Sequence, residues 1–196
     1  QLVRGKVDTP AASLALGLCI ATVPVVLVGL ILKLTGLSDM LRSVALIGWT
    51  MLIFGIVLYW ADRTGGTTKT IERWTIKDAL IMGCWQAVAL LPGTSRSGIV
   101  ITGARHMGYN RQDSARISML MSIPTIIASG TLLGAEVLST ADVTAARNGA
   151  IAAVFSCIAA LIALSVMMRL LRSISFTPYV IYRVVLGLVL LAIAYS

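Results

Sequence analysis

The chain has 196 residues, of which 58% are hydrophobic and only 12% charged, and its mean hydropathy is +0.92. Soluble domains carry about 25% charged residues, so this composition excludes a soluble enzyme, a disordered tail and a nucleic-acid-binding module. The remaining class is a polytopic membrane protein. The 16 Lys and Arg residues exceed the 8 Asp and Glu residues, which gives a net charge of +8. In a membrane protein this excess is typical of cytoplasmic loops.

Five stretches are long and apolar enough to span a membrane. A helix needs about 20 apolar residues to cross about 30 Å of hydrocarbon. Helices are expected because lipid offers no hydrogen-bond partner to an unpaired backbone. Four of the stretches contain no charge, and the last contains only Arg183. In chain order, the predicted spans are residues 9–32, 43–61, 117–135, 148–168 and 173–196.

The segment 79–104 is also apolar, but the polar run PGTSRSG at residues 92–98 interrupts it. Proline removes a backbone donor, and glycine permits positive φ. A charge in the middle of an apolar segment is costly in lipid. We therefore predict two short helices that flank a loop.

The loop charges decide whether this segment crosses the membrane or turns back. If 79–104 crosses, the loop Lys and Arg residues divide as 7 and 7 between the two sides; if it turns back, they divide as 11 and 3. Because cytoplasmic loops carry the excess of Lys and Arg, we predict a re-entrant helix–loop–helix that enters from the cytoplasmic side. The C-terminus is then outside. Irregular backbone at this depth is tolerated where it lines a polar cavity, so the tip is a predicted site.

The residues at the tip carry the groups of an oxyanion receptor. Arg96 supplies a planar guanidinium for bidentate contact, and Ser95 and Ser97 flank it with hydroxyls. Gly93 and Gly98 are expected to leave backbone N–H groups uncovered, and the following half-helix points its positive end at the loop. We predict phosphate or pyrophosphate as the ligand. The alternative is that Arg96 pairs with an acid or with carbonyls and only holds the loop.

Two motifs resemble a known family. The run WQAVALLPGTSRSG at residues 85–98 resembles the second signature of the undecaprenyl-diphosphate phosphatases, which are the bacitracin-resistance membrane enzymes. The run ISFTPYVIYR at residues 174–183 resembles the segment that opens the last helix of that family. The order and spacing of the helices agree with the family over essentially the whole chain.

The resemblance implies hydrolysis of undecaprenyl diphosphate to undecaprenyl phosphate and inorganic phosphate. This reaction recycles the lipid carrier of peptidoglycan synthesis and confers resistance to bacitracin. The implied location is the bacterial inner membrane, with membrane lipids and the polyprenyl diphosphate as partners, no nucleic acid, and a homodimer as a further expectation. The alternative function is an inverted-repeat transporter or scramblase of an anionic lipid or solute, because half-helices and an arginine at mid-membrane would suit either.

The resemblance also implies an all-α inverted-repeat bundle that forms a single membrane domain over residues 1–196. Residues 9–61 would be the last two spans of the first repeat. Residues 79–196 would be the complete second repeat, with its re-entrant loop at 79–104. The chain would then contain about five transmembrane helices and one re-entrant helix–loop–helix.

We assign catalytic roles to the three central residues of the tip. Arg96 would stabilise the charge that develops on the phosphate, and Ser97 and Ser95 would donate hydrogen bonds to its oxygens. The predicted phosphate-binding residues are Gly93, Thr94 and Gly98. Gln86 would give polar support, either by orienting a water or by facing a partner helix. A serine could instead be the nucleophile, but a serine needs a base, and the sequence offers no convincing one.

The chain departs from the family pattern in two respects. Family members carry two Glu residues four apart and then an SSTGH run, whereas the only Glu residues here are Glu72 and Glu136. Because the chain begins with Gln1, we expect an N-terminally truncated sequence, inactive alone. Its absent part would supply a catalytic His and the ligands of a divalent cation, Mg or Ca, so no metal ligand is assigned in this chain. Val100 stands where the family commonly has Thr, and Thr102 lies on another helix face.

The other charged residues have plainer interpretations. Three loop arginines are expected at the lipid headgroups: Arg105, Arg111 and Arg116. Three acids are expected to be solvated in a loop: Asp62, Glu72 and Asp78. Arg183 either extends to the outer headgroups or pairs inside the bundle. His106 lies ten residues beyond Arg96, about 15 Å along a helix, and is not expected to be the base.

Overall fold

The computed structural model describes residues 10–37, 41–139, 143–170 and 175–196. Within these ranges the chain is helical and forms no strand, so the predicted all-α class is confirmed. The helices are α1 (Pro10–Leu34), α2 (Val44–Thr64), α3 (Ile76–Val88), α4 (Arg96–His106), α5 (Arg111–Ser139), α6 (Val143–Leu170) and α7 (Thr177–Tyr195). A short 3-10 turn at Ile71–Arg73 precedes α3.

Four described helices are long and apolar enough to cross a membrane, which confirms the polytopic class. These stretches are Ala12–Leu34, Val44–Thr64, Arg147–Val166 and Thr177–Tyr195. The fifth predicted span, 117–135, lies within α5, a helix of 29 residues; several of its side chains fall outside the described set, and its crossing stays a prediction. Gln1, residue 9 and residues 173–174 also lie outside the described ranges.

Helices α3 and α4 form a hairpin that turns back on itself. They have 13 and 11 residues, which at 1.5 Å per residue is about 20 and 17 Å, too short for either to cross about 30 Å of hydrocarbon. The start of α3 and the end of α4 lie side by side, because the Tyr109 hydroxyl donates to Asp78 at 3.0 Å and Lys69 forms a backbone bridge with Tyr109. The predicted helix–loop–helix that turns back is confirmed.

Small residues bring the hairpin and the spans into close contact. A Cβ atom on Gly83 of α3 would lie 2.6 Å from the carbonyl oxygen of Ala21, so α1 and α3 touch along their backbones. Helices α2 and α7 meet in the same way, since a Cβ on Gly187 would lie 3.0 Å from the carbonyl oxygen of Gly48. Such approaches are typical of helix packing in membranes, where small residues allow many van der Waals contacts.

A buried ion cluster joins the end of α2 to the end of α4. The side chains of Asp62 and Arg105 are 3% and 1% exposed, and the Arg105 Nε atom lies 3.2 Å from the Asp62 carboxylate. Arg111 also donates to this carboxylate, at 2.8 Å. The predictions that Asp62 is a solvated loop acid and that Arg105 lies at the lipid headgroups are wrong, whereas the side chain of Arg111 is 38% exposed. The returning hairpin brings α4 beside α2, and charges taken out of water must be paired.

Asp78 is a second acid that the fold buries. It is 5% exposed and lies outside the four candidate spans. Its carboxylate accepts hydrogen bonds from Lys69 at 2.7 Å, from the Tyr109 hydroxyl and from the N–H of Thr75, which it caps. Burial raises the pKa of Asp78, but these hydrogen bonds outweigh it and hold the pKa below its ordinary value. The prediction of a solvated acid is wrong here too.

Candidate phosphate site at the hairpin tip

The loop between α3 and α4 is held by side chains from three other helices. Each donates to one carbonyl at the tip: Thr50 to Pro92, Arg183 to Gly93 and Ser118 to Ser97. The bonds from Arg183 and Ser118 measure 2.8 and 3.2 Å. Because α2, α5 and α7 all contribute, the shape of the tip depends on the assembled bundle.

Gly93 occupies a position that only glycine fits. Its φ is +85°, in the left-handed region that other residues rarely adopt. A Cβ atom there would also overlap the Thr50 side chain and lie 2.6 Å from the carbonyl oxygen of Ile47. The tip therefore packs directly on α2 at this glycine. Its predicted contact with phosphate stays a prediction.

Ser95 begins α4 in an unusual backbone conformation. Its φ of 65° makes it the one non-glycine residue with positive φ in the described part of the chain. Such strain costs about 1–3 kcal/mol and is concentrated at functional sites. The Ser95 hydroxyl accepts the N–H of Gly98 at 3.2 Å, so this N–H is used by the helix cap. The N–H groups of Arg96 and Ser97, in contrast, have no partner among the described residues.

A hydrogen-bonded chain joins Ser95 to α7. The Ser95 Oγ atom lies 2.8 Å from the hydroxyl oxygen of Tyr179 and 3.4 Å from the Oγ atom of Ser97. Arg183 donates to the same tyrosine oxygen at 3.4 Å. Sequence reasoning missed Tyr179. Tyr179 and Arg183 both lie in the ISFTPYVIYR motif at residues 174–183. Their spacing of four residues, which places them on one helix face, was the signal that could have indicated Tyr179.

The two arginines of the tip have different surroundings. Arg183 is 3% exposed and donates to Gly93 and Tyr179, so it lies inside the bundle and not at the outer headgroups. Arg96 is partly exposed, and its side chain makes no hydrogen bond or ion pair with any described residue. Arg183, not Arg96, therefore holds the loop. Within the described residues neither guanidinium contacts a carboxylate, which leaves two positive charges uncompensated at the tip.

Two further residues predicted to be in the site are buried. Thr94 is 1% exposed, and its hydroxyl has no hydrogen-bond partner among the described atoms. Gln86 is fully buried and donates its amide to Thr125 of α5 at 2.9 Å, while its carbonyl oxygen has no described partner. This contact matches the alternative in which Gln86 faces a partner helix. Its role in catalysis stays a prediction.

The position where the family commonly has threonine is filled by a core residue. Val100 is fully buried, so it offers the tip no hydrogen bond. Thr102 is 2% exposed and donates to the carbonyl of Gly98, one turn back in its own helix, at 2.8 Å. The hydroxyl of Thr102 therefore does not replace the missing one.

Neither a metal centre nor a histidine base is found around the tip in the described ranges. No three His, Cys, Asp or Glu side chains come together there, so these residues do not fit the divalent cation that the resemblance implies. His106 is exposed at the far end of α4, with its ring 6.4 Å from that of Trp60 and 6.5 Å from that of Trp85. That His106 is not the base stays a prediction.

Comparisons with known proteins identify the family. The model of the family described as bacitracin resistance protein BacA matches residues 1–189. A protein of Ruegeria pomeroyi named undecaprenyl-diphosphatase is 69% identical over 196 residues, which is all of this chain and 73% of that protein. A protein of Jannaschia sp. with the same name is 63% identical over the same shares. Undecaprenyl-diphosphatase 1 of Rhodospirillum rubrum is 43% identical over 195 residues, 100% of this chain and 69% of that protein. The chain therefore belongs to the bacitracin resistance protein BacA family.

Proposed function

We propose that this chain acts in the hydrolysis of undecaprenyl diphosphate to undecaprenyl phosphate and inorganic phosphate, with the hairpin tip as its phosphate-binding site. The reaction would recycle the carrier lipid of the cell wall and confer resistance to bacitracin. One observation carries the proposal: the two tip guanidiniums, Arg96 and Arg183, have no carboxylate partner among the described residues. Buried and half-buried cations require a counter-ion, and a diphosphate supplies one.

Arg96 is the group best suited to bind the terminal phosphate. Its guanidinium is free of protein partners in the described ranges, while other side chains hold the loop. A planar guanidinium donates two parallel hydrogen bonds to phosphate oxygens. Because phosphoryl transfer depends mostly on positioning and electrostatics, this contact would stabilise the transition state.

The start of α4 supplies the remaining donors. The N–H groups of Arg96 and Ser97 are unpaired in the described structure, and a helix N-terminus attracts anions through these groups and its dipole. The hydroxyls of Ser97 and Ser95 lie 3.4 Å apart, so both can reach one phosphate group. Gly93, Thr94 and Gly98 would shape the loop around it.

The steps assigned here use only the groups of this chain. The described residues hold no cluster that fits a metal, so no step is derived through a divalent cation, and Mg or Ca stays an expectation from the family resemblance. Arg96, the two serines and the free N–H groups bind and orient the diphosphate. They would also stabilise the charge that develops as water attacks the terminal phosphorus, the bond to the bridging oxygen breaks and undecaprenyl phosphate leaves.

Release of inorganic phosphate from undecaprenyl diphosphate tests the function directly. We expect the full-length protein, purified in detergent, to release one phosphate per lipid. Binding of the lipid without release, together with lipid movement between leaflets in vesicles, would instead support the transporter or scramblase. The three relatives named above favour the phosphatase, because all of them are named undecaprenyl-diphosphatases.

We further propose that the C-terminus lies outside a bacterial inner membrane. The support is the division of loop Lys and Arg residues into 11 and 3 when the hairpin turns back. Alkaline phosphatase fused after Ser196 should then be active, and green fluorescent protein fused there should be dark. Fusions after Gly66, in the loop before α3, should give the opposite pair of results. The reverse pattern would overturn this topology.

The division of the chain into repeats is also kept as a proposal. Residues 9–61 would form the last two spans of the first repeat, and residues 79–196 the second. A homodimer is likewise an expectation.

A further inference from the structure

Three hydrogen-bonded side chains, Arg183, Tyr179 and Ser95, form a polar row that links α7 to the tip. Arg183 donates to the Tyr179 hydroxyl at 3.4 Å, and this hydroxyl lies 2.8 Å from the Oγ atom of Ser95. Tyr179 and Arg183 are four residues apart, so both project from one face of α7. The same face therefore contacts the loop at Gly93 and at Ser95.

The direction of these hydrogen bonds follows from the ends of the row. A guanidinium has only donors, so Arg183 donates to the tyrosine oxygen. A backbone N–H also only donates, so Gly98 donates to Ser95. A phenol is a more acidic donor than an alcohol, and a hydrogen bond accepted by its oxygen strengthens it further. Either hydroxyl could donate across the 2.8 Å between them, and these two effects favour Tyr179 as the donor and Ser95 as the acceptor.

This direction determines what Ser95 can offer to a ligand. A serine hydroxyl has two acceptor positions and one donor. Gly98 occupies one acceptor position and Tyr179 the other. The hydroxyl proton of Ser95 is then available as a donor. It can be donated to the Oγ atom of Ser97, 3.4 Å away, or to an oxygen of a bound phosphate.

We propose that Tyr179 is a positioning residue of the reaction and that it holds Ser95 as a hydrogen-bond donor to the phosphate. This proposal rests on the proposed phosphatase function. Ser95 is consequently not the nucleophile, because both of its lone-pair positions accept hydrogen bonds. Arg183 sets the direction of the row from its far end. Tyr179 itself does not touch the phosphate.

A double-mutant cycle on phosphate release tests this role. In the full-length protein, Tyr179→Phe removes the hydroxyl and keeps the ring, and we expect kcat/KM to fall about tenfold, as for the loss of one hydrogen bond. Ser95→Ala should lower kcat/KM by at least as much. Because Tyr179 acts through Ser95, the double variant should be within about threefold of Ser95→Ala, and not about tenfold below it.

Tyr182→Phe is the matched control. Tyr182 lies one turn further along α7, is 61% exposed and makes no hydrogen bond with a described residue, so its variant should match the wild type. The melting temperatures of Tyr179→Phe and Tyr182→Phe in detergent should be close to that of the wild type. Ser95→Ala and the double variant should melt lower, because they lose the hydroxyl that caps α4. Full activity of Tyr179→Phe would overturn the positioning role of Tyr179 but not the phosphatase function. The same would follow if the double variant lost activity by the product of the two single losses. A wild-type protein that releases no phosphate would overturn the phosphatase function and this role with it.

Discussion

Replacing Arg96 with alanine is expected to lower kcat/KM for phosphate release by about 1,000-fold or more. This is the lower end of what an arginine contributes when it stabilises a transferring phosphoryl group. The protein should nevertheless fold, because the Arg96 side chain makes no hydrogen bond or ion pair in the described structure, and the loop is held by Thr50, Ser118 and Arg183. Activity should therefore be lost while the melting temperature in detergent is unchanged.

Arg96→Lys separates charge from geometry. Lysine keeps the positive charge but lacks the planar pair of donors, so we expect a loss of about 100-fold, of the size seen when one fixed donor is removed from an active site. Arg116→Ala is the control, since Arg116 is exposed on α5 and makes no hydrogen bond with a described residue. Near-normal turnover by Arg96→Lys would rule out bidentate contact with the phosphate.

Gly93→Ala is expected to lower the free energy of unfolding by about 2–5 kcal/mol. Alanine at a φ of +85° costs about 1–2 kcal/mol, and forcing an extra carbon into a packed contact costs about 1–3 kcal/mol more. The new Cβ would meet the backbone of Ile47, which cannot move without shifting α2. The effect is measured by unfolding the protein in detergent and monitoring the loss of its helical circular-dichroism signal.

Gly108→Ala provides the comparison for this prediction. Gly108 has nearly the same φ, +87°, but a Cβ atom there would meet nothing within 4 Å. Only the backbone cost of about 1–2 kcal/mol is therefore expected. Equal losses at the two glycines would show that close contact between the tip and α2 does not contribute.

The hairpin is the part of the fold that local sequence predicts best. Two short apolar segments around PGTSRSG cannot form one continuous helix, and the loop charges choose between crossing and turning back. Arg96 and the two serines follow from the same run, since a charge inside an apolar segment indicates function. The loop charges are counted along the whole chain, but the two short helices, Arg96 and the serines follow from residues that are adjacent in it.

The errors at Asp62 and Arg105, and the omission of Tyr179, concern residues whose partners are distant in the chain. Asp62 and Arg105 are 43 residues apart, and they form a buried pair because the hairpin returns beside α2. Tyr179 and Ser95 are 84 residues apart. No local pattern of hydropathy or charge distinguishes such residues from ordinary loop or interfacial ones.

The sequence by itself therefore determined that this is a helical membrane protein, that residues 79–104 turn back, and that Arg96 is at the tip. Composition and loop charge suffice for this, because every apolar segment in lipid must satisfy its own backbone hydrogen bonds and cytoplasmic loops carry the excess of Lys and Arg. Only the tertiary structure decided which arginine holds the loop and which is free for a ligand. Arg183 donates to the carbonyl of Gly93 from α7, and a contact between helices distant in sequence exists only once the bundle has packed.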